Sequence, residues 1–221
     1  MASPLLIQLS AVSAWLWPIG FGGRMPVGGD VTQFSIGLMA VLARSLRAWR
    51  LPLWNDLWGY GFPGVGESQM GVFYPPHWLL YGLLPLETAY TASLVAHTLW
   101  GSLGAYWCAR VFGVSREGSA LSGFAWSTSG FFLIHLSHQW GYTTGCWMPW
   151  AWGLAWLTLN GRQRAARLAL VLALQLLPGH FSSRSAPRSG WRFSRPGRWA
   201  NGGRLHSSRR PWSSRHSRGR S

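Results

Sequence analysis

Five apolar blocks constrain this chain more than anything else in it: residues 4–21, 88–109, 119–136, 144–159 and 168–181. A helix that crosses a bilayer needs about 17–25 consecutive apolar residues. The first three blocks reach that length, the fourth falls just under it and the fifth is cut short. The first block lacks the basic flank and small-x-small cleavage pattern of a signal peptide, so it reads as a span rather than a leader. The expected fold class is therefore an all-α integral membrane protein with about five transmembrane helices. A long extracytoplasmic loop, residues 22–87, would join the first helix to the second. The expected location is the inner (plasma) membrane, multi-pass.

The connectors orient these spans. Arg110 and Arg116 lie between the second and third blocks, and Arg162, Arg164 and Arg167 between the fourth and fifth. The connector 137–143 has no Arg. Short Arg-rich loops stay cytoplasmic. That rule puts the long loop, the 137–143 connector and the end of the last block on the outer face. Asp30, Asp56, Glu67, His138 and His180 then share one side.

Charge splits the chain in two. Residues 1–181 carry nine Arg and five acids, whereas residues 182–221 carry eleven Arg, eleven Ser and no acid. The net charge of +15 is thus mostly the property of the last forty residues. That segment has no periodic apolar positions and cannot build a core, so it reads as a disordered Arg/Ser-rich tail. The absence of Lys and the abundance of Arg, Ser, Gly, Pro and Trp suit a GC-rich gene read out of frame. The block before the tail also stops in mid-span. The expected organisation is a polytopic domain at 1–181, an incomplete copy, followed by an out-of-frame tail at 182–221. A basic arm for an anionic partner is the alternative; nucleic acid is not an expected partner. Cys108 and Cys146 lie in apolar blocks without metal-ligand spacing and read as small core residues.

Within the long loop, Phe34, Leu38, Val41, Leu42, Leu46 and Trp49 repeat at helical spacing, with Arg44 and Arg47 near the opposite side. This predicts a helix over 31–49, either lying in a membrane interface or buried in a loop domain. Pro52, Pro63 and the surrounding glycines predict irregular chain to residue 66, and Pro75-Pro76 the first turn of a short helix. His97 sits inside a block, where packing through a hydrogen bond is the expected role.

Several short motifs then fall in a telling order: GGD at Gly28–Asp30 with Gln33, LPLWN at Leu51–Asn55, GYGFP at Gly59–Pro63, ESQMGVFYPPHWLL from Glu67, SGF at Ser129–Phe131, His138 and LLPGH at Leu176–His180. Together they resemble the N-terminal part of the YfhO-like bacterial membrane proteins, which belong with the GT-C glycosyltransferases. The resemblance covers residues 1–181. It implies a polytopic enzyme that transfers a sugar from a polyprenyl-phosphate donor to an extracytoplasmic acceptor, with membrane lipid and the lipid-linked sugar as partners. A non-catalytic protein that binds or handles lipid-linked cell-envelope intermediates is the alternative. The resemblance places the catalytic carboxylate at Asp30. A carboxylate there can act as general base on an acceptor hydroxyl or hold a divalent cation against the donor phosphate; the cofactor is otherwise unknown. Asp30 also stands where a helix N-cap is expected. Candidate substrate-binding residues are Glu67, Gln69, Asp56, His138 and His180, with Arg44 and Arg47 as attractors of an anionic group.

Overall fold

Serine and proline chemistry starts the first helix. Ser3 accepts the Leu6 amide through Oγ, and Pro4 fills a first-turn position whose N–H would be unpaired anyway. The computed structural model describes residues 3–162 and 165–179. Helix α1 (Pro4–Trp15) is followed by a single turn, α2 (Trp17–Gly20). A π turn over Val31–Ser35 runs into α3 (Ile36–Arg47). A two-residue hairpin follows, β1 (Trp54–Asn55) against β2 (Phe62–Pro63), antiparallel with Trp54 opposite Pro63. Then come α4 (Pro75–Leu83), α5 (Leu86–Val111), α6 (Arg116–Ser127), α7 (Gly130–Ile134), α8 (Gln139–Leu159) and α9 (Ala165–Leu176).

Helix α5 is the axis of the fold, with α1, α6 and α8 packed along it. Small residues let the neighbours in. A Cβ on Gly104 would lie 2.4 Å from Trp150 Nε1, and one on Gly153 would lie 2.3 Å from Trp107. Indole rings of α8 and α5 thus fill notches in the facing helix, and Trp100, Trp150 and Trp107 stack in series. On the other side, Leu38, Met39, Val41 and Leu42 of α3 are buried with Met70, Tyr81, Tyr90, Leu94, Phe132 and Tyr142. The helix predicted at 31–49 is therefore present and belongs to the buried alternative. It stops at Arg47, and Trp49, expected on its apolar face, is 96% exposed with φ of 52°.

A belt of polar groups crosses this core. His97 Nδ1–H donates to the Ser93 carbonyl at 2.7 Å, which leaves Nε2 to accept from the Tyr74 hydroxyl at 2.7 Å. The same Tyr74 oxygen accepts the Trp147 Nε1–H at 2.8 Å. Gln139 donates to Tyr81 and Ser93, and His77 Nδ1 meets the Gly71 carbonyl at 3.3 Å. Burial holds the imidazoles neutral, lowering His97 to about 4 and His77 to about 3.

The expectation of five membrane-spanning helices is overturned. Among the described residues no helix is both long and apolar enough to cross a membrane. Two of the apolar blocks yield helices of only 12 residues, α1 and α9. The 119–136 block breaks at Thr128–Ser129 into α6 and α7. Helices α5 and α8 have the length, at 26 and 21 residues, but their buried positions include Ser93, His97, Thr98, Ser102, Gln139, Thr143 and Thr144. The apolar runs mark packed helices laced with hydrogen-bonding groups. The multi-pass inner-membrane placement falls with the spans, as does the sidedness drawn from the Arg-rich connectors. The segment 22–87 holds α3 and α4, the two helices expected within it, and adds the short hairpin where irregular chain was expected. The basic segment 182–221 lies outside the described residues.

Candidate functional site

Two glycines aim the carboxylate. Gly28 and Gly29 have φ of 97° and 49°, a left-handed pair that swings the chain into the π turn and puts Asp30 at its N-cap position. Asp30 makes no capping bond there. Its Oδ2 instead meets His138 Nε2 at 2.7 Å, a contact between residues 108 apart in sequence. The Asp30 side chain is 55% exposed and that of His138 32%, so the pair is open to solvent.

His138 follows a single 3₁₀ turn (His135–Ser137) and immediately precedes α8. Ser137 Oγ lies 3.1 Å from His138 Nδ1 and 3.4 Å from the Ile134 carbonyl. The His135 ring stacks on Phe131 with centroids 4.2 Å apart and meets His138 edge-on at 5.7 Å. Trp140 flanks both imidazoles. Underneath, the Ser35 hydroxyl donates to the Ser137 carbonyl at 3.0 Å.

This geometry can manage a proton. With a neutral imidazole, Nε2–H donates to the Asp30 carboxylate and the Ser137 O–H donates to Nδ1. With an imidazolium, Nδ1–H donates to Ser137 Oγ, whose own O–H turns to the Ile134 carbonyl. Neither state leaves a ring nitrogen without a partner. Asp30 keeps a second carboxylate oxygen beyond the one that His138 holds.

The remaining candidates lie elsewhere. Arg44 pairs with Asp56 at the far end of the helical segment that begins at Asp30, about 20 Å away at 1.5 Å per residue. That neighbour holds the Asp56 carboxyl below the usual carboxylate range. Arg47 donates to the Leu84 carbonyl. Both arginines line an open groove of about 470 Å³ with Ala40, Ala43, Ala48 and Leu86, separate from Asp30. Glu67 is an N-cap: its Oε1 accepts the Gln69 amide and closes the 3₁₀ turn Ser68–Met70. Gly179 seats against that turn, since a Cβ on it would fall 1.2 Å from the Ser68 carbonyl oxygen. His180 lies outside the described residues. Among the described residues no three His, Cys, Asp or Glu side chains converge as a metal site.

Comparison with family models, curated proteins and solved structures found no match to this chain. The site therefore stands on its own geometry. Of the residues singled out in the sequence, the fold joins Asp30 to His138 across 108 residues, whereas Arg44 pairs with Asp56 and Glu67 with Gln69 elsewhere. Ser35 and Ser137 were missed. Serine is common, and the only available signal was Ser137's place directly before a candidate histidine.

Proposed function

We propose that Asp30 and His138 form the acid–base pair of a sugar-transfer site whose donor is a polyprenyl-phosphate-linked sugar. The observation that carries this is the 2.7 Å contact between Asp30 Oδ2 and His138 Nε2. An Asp at a helix start whose carboxylate spans to a distant imidazole, rather than capping its own helix, lies within hydrogen-bond reach of a group that can orient it as a base. The resemblance of the surrounding motifs to the GT-C glycosyltransferases supplies the reaction class. The Asp30 carboxylate takes the proton of the acceptor hydroxyl, whose oxygen forms the new bond to the anomeric carbon. The bond from that carbon to the phosphate oxygen breaks, and polyprenyl phosphate leaves. His138 orients the carboxylate and balances its charge as the proton moves.

A positioned base contributes about 100-fold or more to such a step. Asp30→Asn and His138→Gln are each expected to lower transfer from a radiolabelled polyprenyl-phosphate sugar by about that factor. Rates within twofold of the parent for both variants would refute the assignment.

A second reading is favoured by the 55% exposure of the Asp30 side chain. In it, the pair belongs to a surface that holds a lipid-linked intermediate without reacting. Asn at position 30 would then preserve binding.

A further inference from the structure

The helix that carries Asp30 begins with a π turn, and π turns concentrate at functional sites. The Ile36 amide reaches back five residues to the Val31 carbonyl. In a regular α-helix, residues five apart point about 140° away from each other. The wider turn closes that angle and carries Ser35 round toward the edge that bears Asp30. The consequence is visible in the partners. Asp30 reaches His138, and Ser35 reaches the carbonyl of Ser137, the residue directly before it.

Ser35 is 4% exposed. Tyr90 is buried in the same core, and burial raises its phenol to about 12. Yet the Tyr90 oxygen has no hydrogen-bond partner by geometry. The Ser35 proton goes to the Ser137 carbonyl. The bond to Ser137 fixes the plane of the peptide from which His138 departs. Ser137 then holds Nδ1 from one side while Asp30 holds Nε2 from the other.

We propose that Ser35 is a positioning residue: by pinning the Ser137 peptide it holds His138 where Nε2–H meets Asp30 and Nδ1 meets Ser137 Oγ, and so keeps the tautomer with the proton on Nε2. This rests on the reading that Asp30 and His138 are the working pair, but its test does not depend on catalysis. The full chain, labelled with ¹⁵N-histidine, is compared with its Ser35→Ala and Ser35→Cys variants by imidazole ¹⁵N NMR. His138→Gln assigns the resonance. Ser35→Cys keeps the buried volume while weakening the donor, so one informative variant remains if Ser35→Ala fails to fold. The expected result is a single Nε2–H pattern for His138 in the parent and loss of that pattern, to a mixture of tautomers, in the variants. The positioning role is overturned if a folded variant keeps the single-tautomer pattern of the parent. Sugar-transfer rates separate the two ideas. A tautomer change in a chain that transfers no sugar removes the proposed reaction and leaves the positioning role standing. A loss of rate with an unchanged His138 pattern does the reverse.

Discussion

Acidification should unfold this domain through two histidines that take no part in the proposed site. His97 and His77 are 4% and 1% exposed, and burial holds them at about 4 and about 3, against 6.5 when free in the unfolded chain. Between pH 6.5 and about 4 the unfolded chain therefore binds up to two more protons than the native one. Stability falls as pH falls through this window and is flat above 6.5. The slope approaches about 2.7 kcal/mol per pH unit when both sites contribute. At pH 4.5 each histidine has cost about 2.5 kcal/mol, so the pair removes about 5 kcal/mol, the whole stability of a modest domain. Asp56 and Glu117, both held low in the fold, add to the loss only toward pH 4.5, where their unfolded carboxyls begin to take up protons, so the histidine slope is read above about pH 5.5. Chemical denaturation followed by circular dichroism at half-unit steps from pH 7.5 to 4.5 measures the slope. His97→Gln should roughly halve it while lowering stability at every pH. A stability that stays level from pH 7 to 4.5 would show that both imidazoles can protonate in place, and the account of a dry, neutral polar belt would fail.

Two further substitutions probe the same architecture. Tyr74→Phe removes the acceptor of Trp147 Nε1–H and the donor to His97 Nε2 while preserving the ring. With two buried groups left unpaired it should cost about 2–5 kcal/mol in urea denaturation, and a cost under 0.5 would mean that water replaces the hydroxyl. Gly179→Ala is more severe than its size suggests, because φ is 104° and the new Cβ would land on the Ser68 carbonyl. The turn Ser68–Met70 must move, so amide exchange there should accelerate by at least about tenfold, with protection in α5 unchanged.

Local structure was legible in the sequence wherever one signal dominated. The apolar spacing of Leu38, Val41 and Leu42 announced α3, and Pro75-Pro76 announced the start of α4. The membrane spans were misread because block length was weighed without asking what the polar residues inside each block could bond to. Ser93, His97 and the Gln139 amide nitrogen bond to one another or to nearby backbone across α5 and α8, while Gln139 Oε1 is left without a partner. A run of apolar residues looks the same whether it faces lipid or a neighbouring helix. At the site, Asp30 and His138 emerged from separate motifs, but their contact depends on tertiary packing that no local pattern encodes. Glu67 and Asp56, read in the sequence as candidate substrate-binding carboxylates, are taken up by local structure. One caps its own turn and the other pairs with Arg44, and both bonds are short-range. Ser35 was invisible because its role comes from a π turn, and nothing in VTQFS distinguishes that turn from an α-helix.

The 108 residues between Asp30 and His138 also set a clock on biogenesis. A ribosome adding 5–20 residues per second leaves the carboxylate waiting about 5–20 s before its partner is even synthesised. Helix α3 and the glycine pair ahead of it can form in that interval, but the imidazole arrives only with the start of α8. A nascent or prematurely released chain thus carries a half-site, and whatever this pair does is withheld until the polypeptide is long enough to fold as a whole.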